Sequence, residues 1–308
     1  FFLFLLSGLA ALIYQIVWQR ALFQAFGVNI ESVTIIVSIF MFGLGIGSLS
    51  GGVLSKKFPK YLPHLFVFCE VIIGLFGFFS LKLIQVVTLA TVNTSLLNIS
   101  VTTYGLLFIP TLFMGATLPI LVCYLNYSYQ NVGKSLSKLY FINTLGSAIA
   151  CFATGYLIFL YTGLQNASYL AAFINLAVAF YGYKYIKVDN EQVMRLNQVD
   201  VKPKLQISGR NNLRYFLILF ISLVVGFISL SQEILWVRLV AFSTGGRATV
   251  FPLVLGFFLV GIAIGSFKAN QICEKHKDKA LNIIAILIIV SALSYYMLIP
   301  LVGRVMGN

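Results

Sequence analysis

The chain is a succession of apolar runs, each about long enough to cross a bilayer, joined by short loops. A spanning helix needs roughly 20 apolar residues. Lipid offers the backbone no hydrogen-bond partners, so only helices or closed barrels cross it. No segment alternates apolar and polar residues over ten positions, as a barrel strand would. Charged residues make up 9% of the chain and hydrophobic ones 60%, against roughly 25% charged in soluble domains. The expected fold is therefore all-α, a polytopic transmembrane helical bundle of about nine helices.

The runs predict helices over about 1–26, 32–54, 64–90, 104–124, 139–161 and 169–185, then 215–242, 250–267 and 280–301. Pro110 and Pro119 inside the fourth run suggest a kink there. One long polar stretch, from Lys187 to Arg214, divides the chain. It suits a linker better than a packed element. The expected organisation is a first transmembrane half over 1–186, a linker over 187–214, and the first three helices of a second half over 215–308. The chain opens at Phe1 inside one apolar run and closes at Asn308 near the end of another. The expectation is that the membrane domain continues past Asn308.

Net charge is +13. In a soluble protein such a charge would suggest nucleic acid. Here Lys56, Lys57, Lys60, Lys134, Lys138, Lys268 and Lys275 crowd the loops after the second, fourth and eighth runs, while the loops after the third and fifth carry no charge. This is the positive-inside pattern. It implies a lipid bilayer rather than nucleic acid as partner, with the N-terminus and the linker cytoplasmic. Cys69, Cys123, Cys151 and Cys273 have no CxxC spacing, so neither a disulfide framework nor a metal site is expected.

The second half opens as a copy of the first. GLAALIYQIVWQRALFQAFG, from Gly8 to Gly27, returns as GFISLSQEILWVRLVAFSTG, from Gly226 to Gly245. The same offset pairs Trp18 with Trp236, Arg20 with Arg238, Gly43 with Gly261 and Gly47 with Gly265. Six helices separate the copies, so the repeats run parallel, related by an axis along the membrane normal. This is one of the two usual transporter architectures.

At 100° per residue, Gln15 lies about 60° from Trp18 and Arg20 about 160° from it. Each copy thus carries a stripe of Gly, Gln or Glu, and Trp, with an Arg on the opposing side. One reading is an interfacial anchor, Trp at the headgroups and Arg snorkelling outward. The other is a polar pair or ligand site. Glu233 stands where the first copy has Gln15, and a carboxylate at that depth needs a partner from another helix. Glu70, in VFCEVIIG, is a second intramembrane acid. It reads either as a proton or cation site or as a shallow carboxylate reaching the interface or a hydroxyl of the second helix. The candidate polar residues are thus Gln15, Trp18, Arg20, Glu70, Glu233, Trp236 and Arg238. Gly43, Gly47, Gly51, Gly261 and Gly265 have the four-residue spacing that lets helix backbones approach closely. No catalytic constellation is present, and no cofactor is implied within this chain.

SGLAALIYQIVWQRALFQAFG with FMFGLGIGSLSGGVLSKK, and EILWVR with GIAIGS, resemble the membrane region of bacterial membrane-fused spermidine synthase-like proteins. These join a major-facilitator-like membrane domain to an aminopropyltransferase-like domain. The resemblance implies a multi-pass protein of the bacterial inner membrane. It implies a transporter-like domain handling a polyamine or related cation, or else a passive anchor or scaffold for a fused soluble enzyme. The motifs of that enzyme, which would bind decarboxylated S-adenosylmethionine and a polyamine, match no position here, so any such activity attaches to no residue of this chain.

Overall fold

The computed structural model describes residues 1–27, 29–91, 94–129, 131–186, 209–247, 249–275 and 280–306. Nine long helices account for nearly all of them. In the first half they are α1 (Phe2–Phe26), α2 (Asn29–Lys57), α3 (Leu62–Thr91), α4 (Leu96–Tyr129), α5 (Val132–Ala153) and α6 (Gly163–Tyr185). In the second they are α7 (Gly209–Ser243), α8 (Val250–Lys275) and α9 (Ala280–Met306). A 3₁₀ turn at Pro59–Tyr61 precedes α3. The fifth span continues beyond α5 through a π-helical segment, Thr154–Ile158, and a last turn, Phe159–Tyr161. Among the described residues, eight helical spans are long and apolar enough to cross a membrane; α9 has a shorter apolar stretch, Asn282–Leu298.

Several helices are longer than the apolar runs suggest. The fourth starts at Leu96, not near Tyr104, because its polar first turns satisfy themselves. The Asn98 amide donates to Ser95 Oγ at 3.4 Å, and Thr102 Oγ1 donates to the Asn98 carbonyl at 2.7 Å. The fifth starts at Val132, not near Leu139, because Asn131 caps it, its Oδ1 accepting from the Lys134 amide at 3.0 Å. Such a side-chain acceptor satisfies one of the free amides at a helix start. Lys134 and Lys138 thus belong to the first turns of α5 rather than to a loop. The seventh starts at Gly209, inside what reads as linker; the remainder of that stretch, 187–208, lies outside the described residues. Helix α4 is helical through both Pro110 and Pro119.

Small residues set the packing of the first half. Helix α2 lies along α4. A Cβ on Gly51 would fall 2.7 Å from Ala116 Cα, and one on Gly115 2.7 Å from Leu44 Cα. The helices meet backbone to backbone, the contact that small residues four apart permit. Ser38 Oγ and Tyr104 Oη share a hydrogen bond across the same pair. Helix α1 lies among α3, α5 and α6, with Ser147 Oγ donating to the Gly8 carbonyl at 3.1 Å. Between α3 and α6, Ser168 Oγ donates to the Gly77 carbonyl at 2.8 Å.

The halves meet where α8 lies on α5 and where α7 touches α2. Gly155, in the π-helical segment, faces Pro252 of α8, and Gly256 faces Cys151 and Phe152. Helices α7 and α9 leave most of their apolar side chains exposed. The repeat reaches as far as its helix ends. Gly27 (φ 72°) and Gly245 (φ 67°) both adopt the left-handed conformation just past their helices, which glycine takes without steric cost.

Candidate functional site

Helix α1 sits inside the bundle and brings most of the site with it. Tyr14, Gln15, Trp18 and Gln19 are all buried. Trp18 is fully enclosed, its ring stacked on Tyr14 at 5.1 Å and set against Phe40 and Phe76 at 5.7 Å each. This excludes a headgroup-level belt position for Trp18. Aromatic rings packed at these separations stabilise a core by about 0.5–1.5 kcal/mol per pair beyond their buried area. Trp236 differs: it is half-buried, its ring 6.3 Å from Tyr295 of α9.

Arg20 is half-buried, its guanidinium 5.9 Å from the centroid of the Phe159 ring at the end of the fifth span. That is cation–π geometry. Arg238 is exposed. The two arginines of the repeat therefore stand in different surroundings and converge on no common point.

Glu70 lies on α3, about two turns from its start, and is completely buried. Ser7 of α1 donates to its Oε1 at 2.6 Å. Its hydroxyl partner thus comes from the first helix rather than the second. Glu70 Oε2 has no partner among the described residues. Tyr14 and Cys69 lie within electrostatic reach of the carboxyl, and Tyr14 Oη also has no partner. Ser7 and Tyr14 are seven residues apart and fall within about 20° of one another around α1. One face of α1 thus presents two hydroxyls to α3. That spacing is the signal from which both could have been read, although no sequence pattern joins Ser7 to Glu70, 63 residues away.

Glu233, on α7, is 8% exposed and has an unpartnered Oε1. Its charge reaches Cys151 on α5. Glu233 and Cys151 thus lie within electrostatic range of one another, on helices of different halves. Beside Cys151 the π-helical segment begins at Thr154, whose buried hydroxyl is also unpartnered. Such segments inside α-helices often mark functional positions, and nothing in the local sequence announces this one. Gln15, the counterpart of Glu233, is 4% exposed with an unpartnered Nε2. Asn175 on α6 is likewise buried with a free Oδ1. A buried polar atom without a partner is costly, about 1–3 kcal/mol.

The glycines divide by half. Gly43, Gly47 and Gly51 are buried against α4. Gly261 and Gly265 are exposed, with open space around the position a Cβ would take. Clefts open at the ends of the bundle, among them one of about 330 Å³ beside Phe1 and Lys138 and one of about 390 Å³ beside Gln24, Gln85 and Gln165. Among the described residues, neither these two nor the cleft beside Lys60 and Lys184 is lined by Gln15, Glu70 or Glu233.

A family profile described as Major Facilitator Superfamily matches residues 1–307. Among curated proteins, the chain is 27% identical over 175 residues to a polyamine aminopropyltransferase of Oceanobacillus iheyensis, covering 56% of this chain and 32% of that protein. It is 28% identical over 155 residues to polyamine aminopropyltransferase 2 of Aquifex aeolicus, covering 50% of this chain and 29% of that protein. The matched segment is thus about a third of the length of either relative. No solved structure matches.

Proposed function

The chain belongs to the Major Facilitator Superfamily, and from that premise we propose that it binds a polyamine or related organic cation within the membrane and moves it across. Glu233 is the residue on which this reading centres. Transporters of this architecture hold substrate near the midplane between the repeats. Glu233 comes from the second half, lies within electrostatic range of Cys151 of the first and has a carboxyl oxygen with no partner among the described residues. An intramembrane acid so placed suits a cation. Glu70, with Ser7 and Tyr14, is a second acidic position inside the first half. The two curated relatives are named as aminopropyltransferases. Their names support the choice of a polyamine, and support a protein in which this membrane domain accompanies a soluble enzyme. The basic loops support placement in a bacterial inner membrane with the N-terminus inside.

The test is uptake of labelled spermidine or putrescine into proteoliposomes holding the purified chain. Uptake above empty vesicles is expected. E233Q is expected to reduce it at least tenfold, the effect of losing about 1.4 kcal/mol, and E70Q less. Uptake unchanged in the E70Q/E233Q double variant would sink the cation site.

A second reading is a passive anchor for the enzyme domain. It rests on the clefts described above, whose linings among the described residues include neither Glu70 nor Glu233. Wild-type vesicles that accumulate no more label than empty ones would favour this reading.

A further inference from the structure

Where α3 begins and α6 ends, the bundle opens into a cleft of about 720 Å³. This is the end that carries the lysine-rich loop between the second and third spans. Lys60, from the 3₁₀ turn, and Lys184, from the last turn of α6, stand at the cleft with His64 and Tyr183. Val67 and Phe180 supply an apolar wall. The wall is continuous because α6 comes close to α3 at Gly182, where a Cβ would lie 3.4 Å from the Phe66 and Val67 side chains. The His64 ring stands edge-on between Tyr61 and Tyr183, 6.2 Å from each. Lys184 Nζ lies 5.4 Å from the Tyr185 ring centroid.

Among the described side chains the electrostatics of the cleft are one-sided. Two lysines converge on one cleft, and both are exposed. The acidic side chains that the structure describes, Glu70 and Glu233, are buried away from it. Phe180 carries this apolar wall to the exposed outside of the bundle. A cationic mouth above an apolar, outward-facing wall matches an amphiphile, a phosphate-bearing head with an acyl chain. A free phosphate would use the lysines and leave the wall in water. Basic pockets between spanning helices on the cytoplasmic side are suited to anionic headgroups. We propose that this cleft binds an anionic phospholipid, its phosphate between Lys60 and Lys184 and one acyl chain along Val67 and Phe180. The site is independent of whether the domain transports.

The test is intact-protein mass spectrometry of the full chain in detergent, titrated with phosphatidylglycerol or phosphatidylcholine. Wild type is expected to retain phosphatidylglycerol over phosphatidylcholine. K60Q/K184Q is expected to lose about tenfold in phosphatidylglycerol occupancy, with no change for phosphatidylcholine. K60R/K184R keeps the charges and is expected to keep the lipid. K134Q/K268Q removes the same charge elsewhere and is expected to behave as wild type. An equal fall in K134Q/K268Q would reduce the effect to diffuse surface charge and overturn the proposal. So would unchanged occupancy in K60Q/K184Q, or displacement of phosphatidylglycerol by an equal concentration of inorganic phosphate.

Discussion

At Glu70 one carboxyl oxygen is held by a hydroxyl and the other is left bare. The Ser7 hydrogen bond at 2.6 Å is therefore the contact that fixes the side chain between α1 and α3. Ser7→Ala leaves both oxygens buried without a donor. The expected cost is about 1–3 kcal/mol, the desolvation of an unmet polar group. It is read as a lower unfolding temperature in detergent. Removing both polar partners should be milder than removing one, so S7A/E70L is expected to unfold at a higher temperature than S7A alone. An unchanged transition in S7A would mean that Ser7 does not hold Glu70. Trp18 makes the opposite point at the same scale. Beside an arginine, near a helix end, it has the sequence context of a headgroup anchor, and only the stack with Tyr14, Phe40 and Phe76 shows it to be core.

Between elements, the closest approach is that of α2 on α4. Gly51→Ala would set a methyl 2.7 Å from Ala116 Cα, which is backbone and cannot swing aside. Overpacking of this kind costs about 1–3 kcal/mol, so G51A is expected to lower the unfolding temperature. Gly52 is the control: its added methyl meets nothing within 4 Å, and G52A is expected to be neutral or mildly stabilising because alanine is the better helix former. Equal effects of G51A and G52A would remove the close contact from the account. The glycine spacing made this packing legible in sequence, because it depends only on which residues share a helix face. Helix starts were less legible. The first turns of α4 and the Asn131 cap of α5 are polar, and hydropathy does not distinguish a polar helical turn from a loop. The π-helical segment at Thr154 and the burial of Glu233 were not legible at all. Both depend on how separate helices settle against each other.

For the molecule as a whole, the repeat requires α1 and α7 to cross in the same direction. Their equivalent ends, Gly27 and Gly245, both turn through a left-handed glycine. A parallel pair puts those ends on one side of the membrane and the lysine-bearing ends of α2 and α8 on the other. An inverted pair would separate the ends of α1 and α7. The two arrangements are told apart by single cysteines placed in a chain whose own cysteines have been replaced. Thr94, Thr162, Ser243, Lys57 and Lys268 are all exposed and lie at helix ends. With the basic ends inside, Thr94→Cys, Thr162→Cys and Ser243→Cys are expected to react with a membrane-impermeant maleimide on intact cells. Lys57→Cys and Lys268→Cys are expected to react only after permeabilisation. Complete reversal would leave the repeat parallel and overturn the orientation. Reaction of Ser243→Cys on the side opposite to Thr94→Cys would overturn the parallel arrangement itself, and with it the proposed cation site between the repeats.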